Sequence, residues 1–176
     1  MLIGITGLHG AGKSYFCDTI PSEFGFKVFS KKKQLQNIYK LKTGRDDWKE
    51  WYRSEYQKDP RKITEFMLLW INDKEDFVID AIHSPVEWGI IKEKFPNAQL
   101  AEIVTPKPIR KKRIDKLDME KDTSRIAHWH DNGCLLSEVD WTFNGAASKE
   151  INEKSFKEFI EYIKELEKEK QKILER

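Results

Sequence analysis

The chain has 176 residues, a formal net charge of +2 and 35% charged residues, above the roughly 25% usual for soluble globular chains. Ten Phe, six Trp and five Tyr exclude a disordered chain despite a mean hydropathy of −0.70, and the length suits one domain over residues 1–176. No apolar run approaches the ~18 residues of a membrane span, Leu2–Ile5 is too short for a signal peptide, and Cys17 and Cys134 set no disulfide framework, so the expected setting is a reducing cytoplasm with no membrane.

In chain order, Leu2–Thr6 is a short apolar run before glycine and reads as a buried strand. A helix is expected from Lys13 to about Ile20, stopped by Pro21, and a second short strand over Lys27–Ser30. Residues 31–43 and 46–73 read as helical, with a break near Asp59-Pro60. Phe77–Ile82 reads as a strong buried strand, and Pro85 opens a helix that runs to about Lys94. A strand over Leu100–Val104, a helix over Pro106–Leu117 and a last short strand over Trp141–Phe143 follow. The C-terminal segment puts Phe156, Phe159, Ile160, Ile163 and Leu166 on one helical face. Strands alternating with helices predict an α/β domain with a mainly parallel sheet.

The small net charge conceals two basic stretches. Residues 31–62 hold eleven Lys/Arg against five acids, and residues 107–116 hold six bases against Asp115. Such stretches are solvated faces or polyanion sites.

Gly7-Leu8-His9-Gly10-Ala11-Gly12-Lys13-Ser14 fits the spacing G-x-x-x-x-G-K-[ST] between a strand and a helix. The glycines let the backbone curl so that successive N–H groups converge, and the helix N-terminus adds partial positive charge. The loop from Gly7 through Tyr15, including His9, Gly10, Ala11 and Gly12, is therefore a candidate phosphate cradle. Lys13 can reach β- and γ-phosphates, and the Ser14 hydroxyl can take a Mg²⁺ position. Asp80 ends the strongest internal strand, where carboxyl ends line the ligand crevice of an open parallel sheet; it is a candidate metal ligand or catalytic group as well as a candidate cap. His83 follows in the same turn. Arg110 and Arg113 share one helix face, and Arg125 follows the acidic stretch Asp118–Asp122; arginines of this kind can stabilise charge on a transferring phosphoryl group.

These residues resemble the P-loop nucleotide kinases. Val78-Ile79-Asp80-Ala81-Ile82-His83-Ser84-Pro85-Val86-Glu87 is similar to the "V-I-D-G-I-R-S-P-x-E" segment of dephospho-CoA-kinase-related proteins and to the "D-x-R-x-P-x-E" segment of deoxynucleoside monophosphate kinases. Arg113 and Arg125-Ile126-Ala127 resemble the lid arginine and following segment of the first group. Val139-Asp140-Trp141-Thr142-Phe143-Asn144-Gly145 resembles their strand and loop beside the adenine. The resemblance implies a three-layer P-loop NTPase fold, a parallel sheet flanked by helices, with an acceptor-binding helical region at 31–73 and a small lid at 106–132. It implies ATP and Mg²⁺ as the donor complex, Arg113 as the lid arginine, and Asn144 and Gly145 at the base.

Two departures bear on the acceptor. Where the dephospho-CoA kinases place an aspartate after the second strand, this chain reads Ser30-Lys31-Lys32-Lys33, and His83 stands in place of an arginine. A hydroxyl acceptor needs a base, whereas a phosphate monoester is already anionic and needs cations. Lys31, Arg45 and His83 are thus candidate acceptor-binding residues, and the expected function is a Mg-ATP-dependent phosphotransferase acting on a nucleoside monophosphate. A dephospho-CoA-type kinase, a polynucleotide kinase and a non-catalytic ATP-binding protein that binds nucleic acid are the alternatives. No N-K-x-D segment supports a signalling GTPase. Trp48, Trp51, Tyr52 and Tyr56 among the bases of 31–62 suit nucleic-acid stacking, but their i, i+3, i+4, i+8 spacing favours a core face.

Overall fold

The computed structural model describes residues 1–72, 74–114 and 135–175. Five strands form one sheet: β1 (Leu2–Thr6), β2 (Lys27–Phe29), β3 (Phe77–Ile79), β4 (Gln99–Val104) and β5 (Trp141–Asn144), in the order β2-β3-β1-β4-β5. All four pairings are parallel, with Ile3 opposite both Val78 and Gln99. The crossover helices are α1 (Lys13–Thr19), α2 (Lys31–Thr43), α3 (Trp48–Lys58), α4 (Pro60–Leu68), α5 (Pro85–Lys94) and α6 (Lys107–Arg113), and α7 (Lys149–Leu174) closes the described chain.

A parallel sheet must bury both faces, and the alternation of side chains along β1 does this. Leu2 joins a cluster with Leu35, Tyr56, Met67 and Trp88 from α2 to α5, whereas Ile3 and Ile5 join Phe16, Phe143, Phe156 and Phe159 from α1, β5 and α7. The result is three layers. The C-terminal ends of β1 and β3 converge on the loops that follow them.

Sequence-expected elements and observed ones agree closely, with two differences. The regular strand expected over Phe77–Ile82 stops at Ile79, because Ala81 adopts φ 59°, a left-handed conformation that interrupts the ladder before the Ile82 amide returns to Ile5 O at 2.8 Å. Asp80 therefore stands in the loop beyond β3. The helix expected over Pro106–Leu117 is seen as Lys107–Arg113, because Ile114 at φ −136° and ψ 157° is extended and ends it; residues 115–117 lie outside the described residues, as do Arg125 and most of the expected lid.

Local chemistry explains the boundaries. Asp59 accepts from the Lys62 amide at 2.9 Å and Pro60 opens α4, so the break between α3 and α4 is a capped restart. Ser84 accepts from the Glu87 amide at 3.1 Å ahead of Pro85. Trp48, Trp51 and Tyr52 pack against the cluster that contains Tyr56, as their spacing suggested.

Candidate active site

The loop between β1 and α1 is held by its carbonyls. Lys13 Nζ donates to Gly7 O at 2.6 Å and to Leu8 O at 3.0 Å. Arg110 donates to His9 O at 2.9 Å, Arg113 to Gly10 O at 3.3 Å, and the Thr105 hydroxyl to Ala11 O at 2.7 Å. Five successive carbonyls thus have donors, which fixes the peptide planes of the loop. Gly7 sits at φ 135°, and a Cβ there would lie 2.5 Å from Ile103 O, so only glycine lets the loop leave β1 against β4.

This loop walls a cavity of about 710 Å³, within the range of small-molecule sites. His9, Gly10, Ala11, Gly12, Lys13, Ser14 and Tyr15 line one side. Ser14 and Tyr15 are exposed there. Asp80, Ala81 and His83 form the floor beyond β3, and Lys31, Lys32, Trp48, Lys49, Tyr52 and Arg53 from α2 and α3 face the loop. Arg113 completes the rim.

Asp80 serves as a cap, but of α2: its Oδ1 accepts from the Lys31 amide at 2.8 Å. The Lys31 side chain turns inward, where its ammonium lies 2.8 and 3.0 Å from the two carboxylate oxygens of Glu87. Both side chains are buried, at 6% and 2% exposure. Glu87 Oε2 also accepts from the His83 amide at 3.2 Å, and the Ser84 hydroxyl bonds the Tyr56 hydroxyl. Burial first, then the Glu87 charge, pushes the Tyr52 phenol up, so that ring stays neutral. Burial likewise raises the Cys17 thiol, with Asp80 adding to the effect, which leaves this buried cysteine inert.

Of the residues singled out in the sequence, Gly10, Gly12, Lys13, Ser14, Asp80, His83, Lys31 and Arg113 come together on the cavity. Arg110 instead is buried, with its guanidinium on the His9 carbonyl. Arg45 is exposed: Gly44 ends α2 at φ 71°, the chain turns away, and Asp47 takes the guanidinium. Gly145 packs behind the loop, its carbonyl accepting from Arg113 at 3.0 Å, while Asn144 is exposed beside it and accepts from Ala146 N at 2.9 Å. The sequence reading missed Glu87 and the face of α3. Glu87 lay inside the quoted segment, and Lys49 and Arg53 lay in the basic stretch, but no local pattern separates them from solvated neighbours.

Among the described residues no group of three or more His, Cys, Asp or Glu could hold a metal ion by itself, and no helix is long and apolar enough to cross a membrane. No family model matches the chain. A UPF0200 protein of Methanothermobacter thermautotrophicus is 27% identical over 131 residues, 73% of this chain and 68% of that protein. Shikimate kinase from Aquifex aeolicus superposes with a TM-score of 0.59 at 13% identity, covering 92% of this chain and 96% of that one. A sugar kinase from Janibacter sp. superposes with a TM-score of 0.51 at 15% identity, covering 87% and 90%. The strand order, the β1–loop–α1 unit and these likenesses together make this the fold of the P-loop kinases.

Proposed function

We propose that the chain is a phosphotransferase that moves the γ-phosphoryl group of Mg·ATP to a small anionic acceptor, a nucleoside monophosphate in the first instance. One observation carries the reading. Among the described residues, the cavity walled by Gly10–Tyr15 is also lined by Lys32, Lys49, Arg53 and Arg113, the Lys31 ammonium being held by Glu87, and Asp80 is the one acidic lining residue. Two polyanions brought side by side repel strongly, and cations around them are what that arrangement needs.

Ser14 Oγ and the Asp80 carboxylate stand on one cavity, a hydroxyl and carboxylate set that suits Mg²⁺. When bound, Mg²⁺ supplies charge neutralisation on the β- and γ-phosphate oxygens. Lys13 and the loop amides bind the phosphates of the donor. In the transfer, an acceptor phosphate oxygen bonds to the γ-phosphorus as the bond to the β–γ bridging oxygen breaks, and that electron pair leaves with ADP. The products are ADP and a nucleoside diphosphate. An acceptor already ionised gives up no proton, so the chain needs no base beside it. Arg113, on the rim next to Gly10, is placed to meet the charge that spreads over the transferring group.

A screen of γ-labelled ATP against nucleoside monophosphates, dephospho-CoA, shikimate and 5′-hydroxyl oligonucleotides tests the reading. Label is expected on a monophosphate, and Lys13→Ala is expected to cut transfer by about a hundredfold or more while the chain still folds, with a small drop in melting temperature for the two loop bonds lost. Transfer to none of these acceptors, or full transfer by a folded Lys13→Ala chain, would show the reading to be wrong.

A further inference from the structure

Helix α3 turns two parallel ridges toward the cavity. Trp48 and Tyr52 are four residues apart, and so are Lys49 and Arg53, so each pair stands one helical turn above the other on the same side. The Trp48 and Tyr52 rings lie 6.3 Å apart at 51°, and Tyr52 lies 5.7 Å from Tyr56, which is buried against α5. The two rings are half-buried: one side packs on the core cluster and another lines the cavity. They are held in place rather than loose on a surface.

A row of rings beside a row of cations has a definite chemical complement. Ring faces take a flat π system by stacking. Lys49 and Arg53, both exposed on the cavity, attract an anion by their charge. A ligand that satisfies both ridges is a planar aromatic ring joined by a short spacer to a phosphate. A sugar phosphate fills only the cationic row, and a nucleoside only the aromatic one. The rings and cations line the same cavity as Lys13 and Ser14, within which an acceptor and the donor phosphates would meet.

We infer that α3 is the element that reads the acceptor, with Trp48 and Tyr52 taking a nucleobase and Lys49 and Arg53 taking the 5′-phosphate. The inference rests on the cavity being a phosphoryl-transfer site, and it adds the residues that set its substrate class. It also gives a reason for the interleaving of bases and aromatics on α3 itself: one face of the helix serves the core and the adjoining one the ligand.

Calorimetric titration of the full chain, with the loop occupied by Mg²⁺ and a non-hydrolysable ATP analogue, tests this without requiring turnover. The probes are thymidine 5′-monophosphate, AMP, ribose 5-phosphate and thymidine. At least one monophosphate is expected to bind ten times or more tightly than ribose 5-phosphate and than thymidine. Trp48→Leu is expected to bring that monophosphate down to the ribose 5-phosphate level, and Trp48→Phe to restore most of the difference. Arg53→Gln is expected to bring it down to the thymidine level. Because Trp48 also touches the core, each variant is accompanied by a thermal melt, and the Phe variant keeps the test decisive if the Leu variant melts early. Equal binding of ribose 5-phosphate and the monophosphates, no binding of any probe, or base preference intact in a folded Trp48→Leu chain would overturn the inference. Monophosphate binding without γ-phosphoryl transfer would overturn the kinase reading and leave the α3 assignment standing. Transfer to a non-aromatic acceptor with no monophosphate binding would do the reverse.

Discussion

Lys31 is pinned from two directions, and this is the residue on which the candidate site turns. Its amide is held by Asp80 and its ammonium by Glu87, so the start of α2, the loop after β3 and the first turn of α5 share one network. A buried ion pair is costly to break and cheap to replace whole, since breaking it strands a charge without water. Glu87→Ala is expected to destabilise the chain by about 3–5 kcal/mol. The double change Lys31→Met with Glu87→Leu is expected to recover most of that loss in a urea titration. Equal losses for the single and double variants would show that the pair is not the reason for the conservation of shape here. Lys31 was legible in the sequence as a cation near the second strand. That its charge faces Glu87, 56 positions away, was not, because nothing local distinguishes it from Lys32 or Lys33.

At the scale of elements, the turn after β5 and the rim of α6 support the loop between β1 and α1 from behind. A Cβ on Gly145 would lie 2.0 Å from Ala11 O and 2.4 Å from Thr105 Oγ1, atoms already bonded to each other. Gly145→Ala is therefore expected to push the loop out of place and to cost at least ~1–3 kcal/mol, as overpacking does. Nucleotide binding should fall with it, whereas Gly89→Ala, exposed in the middle of α5 where a Cβ meets nothing within 4 Å, should leave binding unchanged and raise stability by about 0.5–1 kcal/mol. Tryptophan-independent nucleotide titration and a thermal melt on the two variants read this directly. The sequence placed Gly145 beside a base through its resemblance to relatives; the structure places it against the loop backbone. Arg110 shows the same lesson, since a basic helix facing phosphates and one bracing the loop carry the same pattern of residues.

At the scale of the whole molecule, α7 is half anchor and half solvated rod. Phe156 and Phe159 are fully buried, with the Phe156 ring 5.9 Å from Phe16 and 5.4 Å from Phe26, so the helix locks the layer beneath α1. Phe156→Ala is expected to cost about 3–5 kcal/mol. Removal of residues 168–176 should shift the melting temperature by no more than ~2–3 °C, because residues 168–173 are exposed and support no core contact. A large loss on truncation would contradict the division. The amphipathic stripe from Phe156 to Leu166 was visible in the sequence; full burial ends at Ile163, and Leu166 is partly buried.

The sequence by itself determined the features whose information is local. The spacing Gly7 to Ser14 specifies a loop and the helix it opens, Asp59-Pro60 and Ser84-Pro85 specify helix starts, and runs of apolar residues at period 2 or 3.6 specify strands and helices in order. Only the tertiary structure decided which charges meet. The bases of a helix do not say which face will be rotated toward a cavity; that depends on which aromatic side chains the core accepts, and the exposed Lys49 and Arg53 line the cavity because Trp48, Tyr52 and Tyr56 pack on the core beside them. The same holds for Ala81, whose left-handed backbone follows from the sheet pairing on one side and the Asp80 cap on the other rather than from its own preference. Contacts between residues far apart in the chain are fixed by the packing of whole layers, and that packing is settled only when the chain folds.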